Sequence, residues 1–184
     1  MLLLVATSCT KQHLTIDNHE FYKVQGTPKA EQSKSRFYKS IAVDSVAISP
    51  ECRCSVVICD CQLDLMNPKV ALEQVLKDAD LLSESVQQAK YLITGEVVKL
   101  KYENVDGGTF ITGGSKDMVS HVIYRIRDKN SGSVVFEQPV IAESQSKFIP
   151  ILGPQGSASG VAGARIKSMQ ENMAHLVNLL VRSQ

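Results

Sequence analysis

Tryptophan is absent from this chain, and aromatic residues make up only 5% of its 184 positions. A stacking platform for nucleobases or sugars needs several exposed rings in series, so none is indicated. Charge of one sign is lacking too, since 20 Lys and Arg stand against 19 Asp and Glu, for a formal net charge of +1. Without a basic stripe to follow a phosphate backbone, no nucleic-acid partner is expected. His13, His19, His121 and His175 show no i, i+4 spacing of the kind that gathers metal ligands on a helix. No nucleophile and base, and no carboxylate pair, can be placed side by side, so the sequence reads as a non-enzyme with no cofactor.

What is present begins at the amino end. Residues 1–8 are an apolar run that closes on small residues, followed by Cys9 and then an abrupt change to polar sequence. The run falls far short of the roughly 20 residues needed to span a bilayer. It resembles the end of a bacterial lipoprotein signal, in which small residues precede an invariant cysteine. That resemblance implies cleavage after Ser8 and a lipid-bearing Cys9, with a diacyl group and an amide-linked chain such as palmitate. Two or more acyl chains suffice for stable membrane attachment. Thr10, rather than Asp, follows the cysteine, which by the same resemblance favours the outer membrane.

The expected organisation is residues 1–8 as a signal remnant, 9–39 as a lipid-anchored tether, and 40–184 as a single α+β domain. Hydrophobic content of 43% and charged content of 21% suit one globular core. Residues 40–48 read as a first strand whose apolar pattern changes phase near Ser45. Asn67 and Pro68 open a helix, with Leu72, Val75, Leu76 and Ala79 on its buried face. Three further strand-like runs, 91–100, 119–127 and 134–141, form an antiparallel meander. In the second run Val122, Tyr124 and Ile126 alternate with polar neighbours, and Asp128 to Gly132 supplies a hairpin turn. Residues 153–160 read as a flexible connection to a final helix over 161–181, with Ile166, Met169, Met173, Leu176, Val177 and Leu180 in one stripe. The fold class is therefore α+β: an antiparallel sheet of about four strands packed by two helices on one face, behind a flexible tether.

Two local features stand apart. Cys52, Cys54, Cys59 and Cys61 form two C-x-C pairs separated by four residues. Common zinc knuckles use wider spacing, so the array reads as disulfides, reduced structural thiols or, least readily, a metal site. Gly107, Gly108, Gly113 and Gly114 bracket Phe110 and Ile111, a small apolar tip placed to touch a partner or a membrane.

Cys9, the helix over Ala71 to Leu82, the run Tyr91-Leu-Ile-Thr-Gly-Glu96, the hairpin from Tyr124 through Phe136 and the closing residues Asn172 to Asn178 together carry a family likeness. The chain resembles small bacterial outer-membrane lipoproteins with an α+β periplasmic domain, over most of residues 40–182. The likeness implies a lipid-anchored accessory subunit that contacts the outer membrane through Cys9 and meets protein partners in an envelope complex. The alternative is a periplasmic module binding a metal or small ligand through the cysteine array or a pocket between sheet and helices.

Overall fold

In the computed structural model the described residues are 27–31, 34–50, 52, 67–105, 114–148 and 153–183. Within them the chain runs β1 (Ile41–Ile48), α1 (Pro68–Asp78), β2 (Tyr91–Val105), β3 (Gly114–Asp128), β4 (Val134–Phe148) and α2 (Gly153–Val181). The strands make one sheet in the order β1-β2-β3-β4. β2, β3 and β4 form the expected antiparallel meander.

β1 corrects the expectation of an all-antiparallel sheet, because it lies parallel to β2 and the sheet is mixed. The long connection between them contains α1, and a helical crossover brings the chain back to the end of the sheet from which it left. The register of β1 shifts between Val43 and Ser45, where the apolar pattern changes phase in the sequence.

α1 opens on Asn67, whose side-chain oxygen accepts from the backbone N–H groups of Lys69 and Val70 at 3.1 and 3.3 Å. Those donors would otherwise be orphans of the first turn. At the β3–β4 hairpin, Asp128 Oδ1 accepts from the N–H groups of Asn130 and Ser131, both at 3.0 Å. Gly132 follows with φ of +69°, a left-handed conformation that costs glycine nothing. α2 begins at Gly153 rather than near Val161, so residues 153–160 are helix and not the connection expected from their glycines. Once later turns are held by packing, each added residue needs only to propagate an existing helix.

Both helices cover one face of the sheet. Ile93, Val97 and Leu100 of β2 and Met118, Val122, Tyr124 and Ile126 of β3 meet Leu72 and Leu76 of α1 and Met169, Met173, Leu176 and Leu180 of α2, all fully buried. The methionine stripe is therefore core. Gly95, opposite Tyr124 in the register, leaves room for that ring: a Cβ there would lie 3.3 Å from Tyr124 Cε1 and 3.3 Å from Val46 Cγ1. Gly95→Ala should cost about 1–2 kcal/mol through this overpacking, read as a lower urea midpoint at unchanged slope.

Candidate functional site

Cys9, Cys54, Cys59, Cys61, Phe110 and Ile111 lie outside the described residues. Cys52 is described. It follows β1, donates its N–H to the Ser49 carbonyl oxygen at 2.9 Å, packs against the core and is disulfide-bonded. A sulfur held in a disulfide is no thiolate and does not ligate metal. Among the described residues no three His, Cys, Asp or Glu side chains gather as metal ligands, and no helix is long and apolar enough to cross a membrane.

In the stretch expected as a tether, where Phe37 and Tyr38 read as local anchors onto the domain surface, the described residues of 27–40 form a strap across the ends of both helices. Ala30 N–H donates to the Ala79 carbonyl at 2.8 Å and Lys39 N–H to that of Asp80 at 2.9 Å, which ties the strap to the end of α1. At α2, Ser35 Oγ donates to the Leu180 carbonyl at 2.9 Å and Arg36 N–H to that of Ser183 at 3.2 Å. The last carbonyls of a helix have no partner within it, so the Ser35 bond satisfies one of them and the Arg36 bond holds the residues just beyond α2. Phe37 is fully buried, with its ring edge-on to Tyr91 at 5.2 Å and to Phe136 at 6.3 Å between centroids. Packing thus extends upstream of residue 40.

The outer edge of β4 is blunted. An open strand edge templates another strand through its unpaired backbone groups. Here Pro139 contributes no N–H, as tolerated only where that position faces outward. Arg36 Nη2 donates to the Val135 carbonyl at 2.9 Å, and His175 Nδ1 lies 3.3 Å from the Ile141 carbonyl oxygen. Strand addition along the middle of β4 is disfavoured by all three.

On the helix-free face Arg125 joins two strands, with Nη1 3.0 Å from Glu96 Oε2 on β2 and Nε 3.1 Å from Glu137 Oε1 on β4. The Arg125 hydrogen bond, followed by one from Ser49, holds the Glu96 carboxyl below its ordinary value of 4.5. A carboxyl with a depressed folded value stabilises the fold above its unfolded value, and that stabilisation is lost as pH falls through the folded value. Glu96→Gln should therefore lower Tm modestly near neutrality, where the charged carboxyl stabilises the fold, and the two curves of Tm against pH should converge as pH falls well below 4.5.

Beneath the other face runs a buried polar seam. Ala164, Ser168 and Asn172, four residues apart on α2, face β3 and β4. Tyr124 Oη donates to Asn172 Oδ1 at 3.0 Å, and Asn172 Nδ2 donates to the carbonyls of Val140 at 2.7 Å and Ser120 at 3.3 Å. Ser120 Oγ donates to the Ser168 carbonyl at 3.0 Å, and Ser144 Oγ to that of Ala164 at 2.9 Å. Burial pushes the Tyr124 hydroxyl well above its usual range, which keeps it a donor. The i, i+4 spacing of Ala164, Ser168 and Asn172 was the available signal, masked by the apolar stripe beside it.

No protein-family model matches the sequence, and no curated protein matches it. Solved structures share the fold. A candidate lipoprotein from Caulobacter crescentus aligns with a TM-score of 0.52 at 12% identity, over 76% of this chain and 87% of its own. A Xanthomonas campestris protein, of a family without an assigned function, aligns with a TM-score of 0.51 at 10% identity, over 84% of this chain and 91% of its own. At such identity the likeness is one of architecture: a meander of three strands, a parallel first strand reached through a helix, and a closing helix.

Proposed function

We propose that this chain is a non-enzymatic, lipid-anchored accessory subunit of an outer-membrane assembly, such as a secretion, conjugation or envelope-biogenesis machine, facing the periplasm. The observation that carries this reading is the fold shared with the Caulobacter crescentus candidate lipoprotein, taken together with Cys9 behind an apolar run. The disulfide at Cys52 suits an oxidising compartment. Between Cys9 and the packed Ala30 the chain can reach about 70 Å if extended, and the domain supplies the protein contacts. The competing reading is a periplasmic module that binds a metal or small ligand through the cysteine array or a pocket between sheet and helices; the disulfide at Cys52 disfavours its metal form.

Mass spectrometry of the mature N-terminus after cell fractionation, for the native chain and Cys9→Ser, tests this. Acylated Cys9 in the outer-membrane fraction, with the Cys9→Ser chain released from it, is the expected result. An unmodified Met1 on a soluble cytoplasmic protein would sink the reading.

A further inference from the structure

A cleft of about 310 Å³ opens where the strap passes the last turn of α2, lined by Lys29, Glu31, Lys34, Val181 and Arg182. Cations outnumber the carboxylate there. Lys29 Nζ stands 3.5 Å from Asp80 Oδ2 and Lys34 Nζ 2.8 Å from Glu31 Oε2, yet the two lysine side chains stay 74% and 65% exposed. Ion pairs so open to water hold their partners weakly, and either ammonium group can turn toward an incoming anion.

A helix C-terminus would ordinarily repel that anion through its free carbonyls. In this terminus the Leu180 carbonyl accepts from Ser35 Oγ at 2.9 Å, the Leu179 carbonyl from Ser183 Oγ at 2.9 Å, and the Ser183 carbonyl from Arg36 N–H at 3.2 Å. These three carbonyls are already satisfied within the fold. The cleft is left with an apolar wall at Val181 and a cationic rim.

We propose that this cleft binds the phosphate of an anionic lipid headgroup. The planar guanidinium of Arg182 matches two phosphate oxygens, and the lysines add mobile point charges, while Val181 suits the adjoining carbon of a diester. The choice of a lipid as the source rests on the lipid-anchored reading, because the cleft is built from the first described residues after Cys9, at the root of the segment that would run to the membrane.

The test uses the full chain carrying Cys9→Ser, so that acylation plays no part. It is sedimented with vesicles of phosphatidylethanolamine alone and of phosphatidylethanolamine with phosphatidylglycerol. The chain should pellet preferentially with the anionic vesicles. The triple change Lys29→Gln, Lys34→Gln and Arg182→Gln should weaken that binding by about a hundredfold, at about fivefold per cation near an anionic surface. A charge-matched triple away from the cleft, Lys69→Gln, Arg127→Gln and Lys167→Gln, should weaken it far less. Equal losses in the two triples would mean general surface charge and would overturn the proposal. So would equal pelleting with both vesicle types, or saturation of the cleft by inorganic phosphate without vesicle binding, which would mark a free-anion site. All six side chains lie at exposed positions, and an unchanged Tm verifies folding of each variant. A negative result leaves the Cys9 anchor standing, whereas a native chain without acylation removes the anchor and leaves the vesicle result untouched.

Discussion

Phe37→Ala is expected to destabilise the domain by about 4 kcal/mol, the cost of a cavity where a fully buried ring has stood. Phe37 has no exposed surface and lies edge-on to Tyr91 and Phe136, joining the strap to β2 and β4 at once. Its loss should reach beyond the cavity. Ala30, Ser35, Arg36 and Lys39 place their hydrogen bonds on α1 and α2 from either side of this anchor. A strap without the ring has to hold those bonds against its own conformational entropy, roughly 1–2 kcal/mol for each backbone residue fixed. Urea unfolding should report the stability, and trypsin, which cuts after Lys29, Lys34, Arg36 and Lys39, should report the strap. A loss under about 1 kcal/mol, with cleavage unchanged, would show that the strap is held elsewhere.

Asn172→Leu should cost about 3 kcal/mol, although it replaces a polar side chain in the core with an apolar one. Asn172 is fully buried, accepts from Tyr124 and donates to two strand carbonyls. A leucine removes all three bonds and leaves the Tyr124 hydroxyl buried without an acceptor, a desolvation penalty of about 1–3 kcal/mol by itself. Tyr124→Phe removes the orphaned donor. The double variant should therefore be more stable than the sum of the two single losses, by an interaction energy on the order of 1–2 kcal/mol. Simple additivity in urea unfolding would show that the two side chains act independently. The seam lies between α2 and the sheet, so it also selects how the helix is rotated: only one rotation points Ala164, Ser168 and Asn172 at β3 and β4 together.

Strand and helix positions were largely open to reading because they follow from local periodicity. Val122, Tyr124 and Ile126 alternate into the core, and Leu72, Val75 and Leu76 recur at helical spacing, whatever the rest of the chain does. The phase change near Ser45 was likewise visible and became the register shift of β1. The direction of β1 was not, since a strand beside a parallel or an antiparallel neighbour shows the same alternation; the crossover through α1 decided it.

Phe37 and Tyr38 read as an anchor onto the domain surface, but the depth and partners of that anchor were not legible. One aromatic pair in a polar stretch has no period, and only the distant Tyr91 and Phe136 make a site for it. The anion cleft is the clearest case of what folding alone assembles. Lys29, Lys34 and Arg182 come from opposite ends of a chain whose net charge is +1. By itself the sequence determined most of the elements and their apolar faces. The tertiary structure alone decided which surfaces meet, because a local field of positive charge depends on distances through space that neither composition nor spacing contains.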